Sequence, residues 1–139
     1  MAVAIYLADK SAFARLHQSV VFERLAPFIE RGLVATCSVI DLEILYSCRS
    51  PDEYDAVLAE GVGLERLDIA QVDWDRAIDV QHRLASASQH RAAAIPDLLI
   101  AAVAERHQVT VLHYDHDFEH IAAVTGQRVQ WVVPPGTVP

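Results

Sequence analysis

Apolar residues along this chain fall into short unbroken blocks, separated by longer stretches in which they recur every three or four positions. Residues 3–7, 33–37, 109–112 and 129–133 are compact runs rich in Val, Ile and Leu, the pattern of strands buried on both faces. Residues 64–69 form a shorter-sided version interrupted by Glu65, Arg66 and Asp68, which predicts an edge strand. Between the blocks the spacing is helical. Val21, Leu25, Phe28 and Ile29 share one face of a helix predicted over Ser19–Glu30, with Gly32 just past its end. Ser11 is placed to cap a short helix that includes Ala12 and Phe13. Ser38 and Asp41 read as a capping box, and Ser50-Pro51-Asp52-Glu53 as a helix start closed by Gly61 and Gly63. Asp73-Trp74-Asp75 opens a helix reaching about Ser86, with Trp74, Ile78 and Leu84 predicted toward the core, and Asp117 is placed to cap a helix ending at Gly126. The stretch 95–104 is almost wholly apolar, so it predicts a helix buried nearly all round, with Pro96 at its first position and one acid, Asp97, at its entrance.

Strands alternating with helices predict an α/β sandwich around a mainly parallel sheet of five strands. The 139 residues suit one domain over 1–133, followed by a Pro-rich tail at 134–139 that can continue neither sheet nor helix. No apolar run reaches the length of a membrane span and no basic segment leads into a signal-type core, so a cytoplasmic protein is expected. Cys37 and Cys48 make no CxxC pair and read as small core residues.

A formal charge of −8 argues against a polyanionic ligand until its distribution is considered. Residues 52–79 carry nine acids and two bases, leaving nine bases and ten acids elsewhere. Five of those ten are Asp9, Glu43, Asp97, Asp115 and Asp117, and bound cations at these five would leave the remainder basic. Their positions single them out. Asp9 follows the first strand, Asp115 the fourth, Glu43 lies one turn into the helix after the second, and Asp97 opens the helix leading into the fourth. In open parallel sheets such strand ends converge where strand order reverses. Carboxylates gathered there without a cation would raise one another's pKa, whereas Mg²⁺ or Mn²⁺ suits an all-oxygen site and supports phosphodiester hydrolysis. Simpler readings compete: helix-dipole electrostatics for Asp97, capping for Asp41 and Asp117, and cap, first turn and solvated face for Asp73, Asp75 and Asp79. A zinc site at His116 and His120 lacks further ligands.

Leu7-Ala8-Asp9-Lys10-Ser11-Ala12, the Glu43 helix, Ile95-Pro96-Asp97-Leu98-Leu99-Ile100-Ala101 and Val111-Leu112-His113-Tyr114-Asp115-His116-Asp117-Phe118 together resemble the PIN-domain ribonucleases, most of all the VapC toxins of toxin–antitoxin pairs. The resemblance implies a PIN-like α/β/α sandwich and Mg²⁺- or Mn²⁺-dependent endoribonuclease activity on RNA. It also implies a homodimer and neutralisation by a VapB-like antitoxin. Carried over residue by residue, Asp9, Glu43, Asp97 and Asp115 match the four acids of the pattern, Asp117 the further acid of its DxDF-like segment, and Ser11 a supporting hydroxyl. Two positions depart from it: Lys10 replaces a small polar residue and His113 a hydroxyl. Lys10, Arg83, His90 and Arg91 are candidates for holding RNA phosphates. Apolar helical stretches at 42–46 and 98–103 are candidates for a dimer face. Lys10 and His113 also keep open a PIN-fold binding module with weak catalysis. A phosphatase using Asp9 as nucleophile would want a second acid where Ser11 stands.

Overall fold

The computed structural model describes residues 3–139. Its elements are β1 (Tyr6–Ala8), α1 (Lys10–Phe13), α2 (Ser19–Glu30), β2 (Val34–Thr36), α3 (Ser38–Tyr46), α4 (Pro51–Glu60), β3 (Glu65–Arg66), α5 (Gln71–Ser86), α6 (Ile95–His107), β4 (Thr110–His113), α7 (His116–Thr125) and β5 (Val129–Trp131). The strands form one sheet in the order β3-β2-β1-β4-β5, and all neighbouring pairs are parallel. The chain builds outward from β1 in one direction, then crosses back through α5 and α6 to build outward in the other. The reversal therefore falls between β1 and β4, where Tyr6 pairs with Thr110 and Ala8 with Leu112.

Period-two alternation along the strands sends side chains to two cores. Leu7, Ala35 and Val111 face a layer containing Leu84 of α5, Ile100 and Val103 of α6, and Phe118 and Ile121 of α7. Ala8, Val34 and Leu112 face the opposite layer, with Val21 and Leu25 of α2. Helix α6 is buried continuously from Asp97 to Ala104, as an apolar-all-round helix must be, and ends with Gln108 in the left-handed region at φ 58°. That burial removes 98–103 from consideration as a dimer face. The stretch 42–46 keeps Leu42 and Tyr46 exposed one turn apart on α3.

Several expected details differ. Strand β1 starts only at Tyr6, and Val3 and Ile5 are exposed. Trp74 and Ile78 also face solvent. The inward stripe of α5 is Asp73, Ala77, Val80 and Leu84, which has proper helical spacing but begins with an acid. Asp73 tolerates burial because Arg106 of α6 donates to both its carboxylate oxygens, at 2.8 and 2.9 Å, and Ala70 N–H donates at 2.9 Å. These bonds outweigh the cost of burial and hold its carboxyl below the usual range. Asp73 fastens α5 to α6. Ser38 is not a cap: Cys37 precedes α3 without a side-chain bond, and Asp41 instead accepts from Thr36 Oγ1 at 2.6 Å and pairs with Arg66 at 2.7 Å. Ser11 lies inside α1, which Asp9 caps, and α7 is capped by Asp115 rather than Asp117. Residues 134–139 run back over the end of β4, where the Tyr114 hydroxyl donates to Val138 O at 2.7 Å and accepts from Gly136 N–H at 2.9 Å. Among the described residues no helix is long and apolar enough to cross a membrane.

Candidate active site

Beyond Ala8 the chain leaves the sheet and turns at once into α1. Asp9 caps that helix, its Oδ2 accepting from Ser11 N–H at 2.9 Å, while its own N–H donates to Leu112 O of the neighbouring strand at 2.9 Å. The cap occupies one carboxylate oxygen. Oδ1 is buried with no hydrogen-bond partner, and burial pushes the Asp9 pKa up, against the lowering effect of the Ser11 bonds.

Asp115 arises the same way at the end of β4, capping α7 with Oδ1 accepting from Asp117 N–H at 2.9 Å. The turn is held from two sides. Ser11 Oγ accepts from Tyr114 N–H at 2.9 Å, tying the Asp9 and Asp115 turns together across the β1–β4 reversal. His113 Nδ1 accepts from Asp115 N–H at 3.1 Å, which assigns the ring proton to Nε2. His113 is fully buried between Phe118 and Trp131, with ring centroids at 5.1 and 4.8 Å. That burial, with His116 nearby, holds its pKa down to about 4, so it is a neutral acceptor. The position thus supplies a hydrogen-bond acceptor without a hydroxyl.

The buried start of α6 brings Asp97 into the centre. It is 6% exposed, and its pKa is pushed up to about 9, first by burial, then by a hydrogen bond with Asp117 and by the charges of Asp9, Asp115 and Asp117. At neutral pH, without a cation, Asp97 is protonated. Glu43 arrives from α3 with Oε1 buried and unpartnered, and its pKa is raised by burial and by Asp9, while Lys10 acts in the opposite sense. Asp117 accepts from Ala94 N–H at 2.9 Å through Oδ2, anchoring the link into α6.

The carboxylates fall into two groups that share Asp97. Asp9, Glu43 and Asp97 offer oxygens within 4.8 Å of one another, and so do Asp97, Asp115 and Asp117. Unpartnered buried oxygens on Asp9 and Glu43, together with raised pKa values, are the signature expected where a hard cation belongs. The donor set is all oxygen and fits Mg²⁺ or Mn²⁺.

The basic candidates are placed less uniformly. Lys10 is half-buried at the start of α1, beside Glu43 in charge. His90 and Arg91 are exposed in the link whose end Asp117 clasps. Arg83 is exposed on α5 and pairs with Asp79 at 3.5 Å. Three features escaped sequence reasoning: the imidazole under the Asp115 turn, the clasp on Ala94, and the bonds from Tyr114 to the tail. No spacing rule signals them: the clasp and the tail bonds join segments more than 20 residues apart, and the short-range His113 bond depends on the ring being packed between Phe118 and Trp131. Ser11→Ala removes the bond to Tyr114 N–H while leaving the Asp9 cap's own N–H donor in place. It is expected to lower metal affinity about tenfold without unfolding the chain, measured by Mn²⁺ titration.

Comparison with known proteins agrees with this geometry. The PIN domain family pattern matches residues 6–124. Ribonuclease VapC21 of Mycobacterium tuberculosis is 47% identical over 133 residues, covering 95% of this chain and 96% of that protein. Ribonuclease VapC51 of the same organism is 43% identical over 133 residues, covering 96% of each. A DNA-bound VapBC crystal structure from Salmonella typhimurium superposes with a TM-score of 0.75 at 19% identity, covering 94% of this chain and all of that one. A family pattern spanning most of the chain, with relatives this similar over nearly full length, places the chain in the PIN-domain family, among the VapC ribonucleases.

Proposed function

We propose that this protein is a Mg²⁺- or Mn²⁺-dependent endoribonuclease that hydrolyses RNA phosphodiester bonds and acts as the toxin of a toxin–antitoxin pair. The observation that carries the reading is the convergence of Asp9, Glu43, Asp97 and Asp115 at the reversal of strand order, with buried oxygens on Asp9 and Glu43 left unpartnered. These four, with Asp117, would hold the cation, which when bound supplies an activated water and stabilises charge on the phosphate and leaving oxygens. Asp9 and Glu43 would offer their free oxygens to it. Asp97 must give up its proton to join them, while Ser11 and His113 keep the Asp9 and Asp115 turns in register. Lys10, His90 and Arg91 would meet RNA phosphates, with Arg83 able to join once released from Asp79.

The VapC relatives are named ribonucleases, and several solved structures of similar fold are VapBC complexes. A VapB-like antitoxin is therefore the proposed partner, and the excess negative charge of the centre favours a basic segment of it. The exposed Leu42 and Tyr46 support a homodimer through α3. Residues 1–133 would form the one nuclease domain, working in the cytoplasm, with 134–139 as its appended tail. One observation favours a second reading, a PIN-fold binding module with weak catalysis: the Lys10 charge acts on Glu43 in the sense in which a cation would, favouring its ionised form.

Incubating the purified protein with total cellular RNA in Mg²⁺, in Mn²⁺ and in EDTA separates the two. Discrete fragments that need metal are expected. A folded, metal-binding protein that leaves every RNA intact would overturn the nuclease reading in favour of the binding module.

A further inference from the structure

Beside the carboxylates, on the β5 side, stands a row of aromatic rings that the metal chemistry does not use. Trp131, the last residue of β5, has its ring 5.5 Å from that of Tyr114 at 86°, and 4.8 Å from the fully buried His113. The His116 ring closes the row at 4.9 Å from Trp131 and 74° to it. At the other end the Arg15 guanidinium sits 4.6 Å over the Tyr114 ring. Burial falls off along the row: His113 is sealed in the core, Tyr114 and Trp131 are half-buried, and His116 is exposed. His116 is also the residue between Asp115 and Asp117, both of which belong to the carboxylate groups.

A purely structural role explains His113 and the inner face of Trp131. It does not explain an exposed imidazole at the rim, because the fold loses no core contact without it. An aromatic row fixed from below and open at one end, adjoining a phosphodiester-hydrolysing centre, has the chemistry of a base-stacking platform. Every base has a π-face, so such a platform would hold a nucleotide without reading its identity, and Arg15 adds a fixed positive charge beside it. An extruded base is available in single-stranded RNA and unavailable in a continuous duplex.

We propose that the exposed His116 ring, braced at 74° by Trp131, forms a base-stacking subsite that holds the nucleotide next to the scissile phosphate of single-stranded RNA. The subsite rests on the endoribonuclease reading above, and it makes His116 a substrate-positioning residue rather than a member of the metal centre.

The test compares cleavage of a single-stranded RNA oligonucleotide by the native chain, His116→Ala and His116→Phe, with the same strand carrying one abasic nucleotide beside the cut. His116→Ala is expected to raise KM about tenfold with kcat nearly unchanged, and His116→Phe to restore it. The abasic strand should weaken the native chain to the same degree and make His116→Ala silent. An unchanged KM, a loss confined to kcat, or failure of Phe to restore KM would overturn the proposal.

A second arm needs no turnover. The chain has two tryptophans, so Trp74→Phe leaves Trp131 as the sole indole reporter, and Trp74 lies exposed on α5. Titration with the intact strand in Mg²⁺ should quench Trp131 fluorescence, and the abasic strand should not. Equal quenching by both strands would overturn the subsite. Selective quenching without any cleavage would uphold the subsite and overturn the nuclease reading instead.

Discussion

Asp97→Asn is expected to abolish RNA cleavage, by about a hundredfold or more, while the metal-free protein melts higher than the native chain at pH 8. The two effects have one origin. Asp97 is buried at the start of α6, hydrogen-bonded to Asp117 and surrounded by Asp9 and Asp115, so the ionised form is disfavoured until a cation arrives. Asparagine mimics the protonated acid: its amide can donate to Asp117 as the carboxylic acid does, without a proton that can be lost. Above its ordinary pKa the native chain must hold on Asp97 a proton that the unfolded chain releases, a cost that asparagine avoids. A gain of about 10 °C or more in Tm is the expected scale, since this linkage reaches several kcal/mol at pH 8 and a domain of this size shifts by a few degrees per kcal/mol. Excess Mg²⁺ should stabilise the native chain and leave the variant unmoved. A variant that cleaves RNA normally, or that melts lower than the native chain without metal, would contradict the assignment of Asp97.

The same balance predicts how stability depends on pH. Asp97 has a folded pKa of about 9 against an ordinary 3.8, so the folded state holds a proton that the unfolded chain releases. Its contribution is fully present below pH 3.8 and is lost as pH rises toward 9, with a limiting slope of about 1.4 kcal/mol per pH unit. His113 runs the other way. Its folded pKa of about 4 lies below the ordinary 6.5, so stability is gained as pH rises between those values and is complete above them. The two oppose each other from about pH 4 to 6.5, and Asp97 acts alone above that. Burial also raises the pKa of Asp9 and Glu43, whose contributions fall with rising pH in the same sense as that of Asp97. In EDTA, urea denaturation should show a shallow dependence up to pH 6.5 and a steep loss from there to 9. Saturating Mg²⁺ should abolish the steep part, because a cation binds the deprotonated carboxylates of the folded state. A metal-free protein whose stability is level from pH 6.5 to 9 would contradict the buried-acid account.

Elements with strong local signals were legible in the sequence. Helix α2 occupies Ser19–Glu30 as its apolar spacing implied, and α4 begins at the Ser50-Pro51 start signal with Ser50 accepting from Glu53 N–H. The almost wholly apolar stretch 95–104 implied a helix buried nearly all round, and α6 is buried continuously from Asp97 to Ala104. What failed was phase and partnership. Trp74 and Ile78 looked like core because they are large and apolar, yet the inward position belongs to Asp73, made tolerable by Arg106 from another helix. Propensity cannot see a partner that distant. Caps failed for a related reason: adjacent Ser, Asp and His residues all carry the right chemistry, and the sheet decides which residue becomes the extended one before each helix. Asp9 and Asp115 took the two caps beside the strand reversal. Of the candidate centre, Asp9 and Asp115 were legible from strand ends, and Glu43 and Asp97 as acids set in otherwise apolar helical turns; the structure brings all four close together. The imidazole beneath Asp115 and the clasp from Asp117 to Ala94 were not, since both depend on packing.

The central claim is that these carboxylates form one divalent-metal centre whose key acid is protonated until metal binds. Calorimetric titration of the metal-free protein with Mn²⁺ at neutral pH, repeated in buffers of different ionisation enthalpy, tests it most directly. Such a series counts protons released on binding. The account predicts release of about one proton per chain, abolished in Asp97→Asn. Mn²⁺ binding with no proton release, or with release unchanged by that substitution, would contradict it.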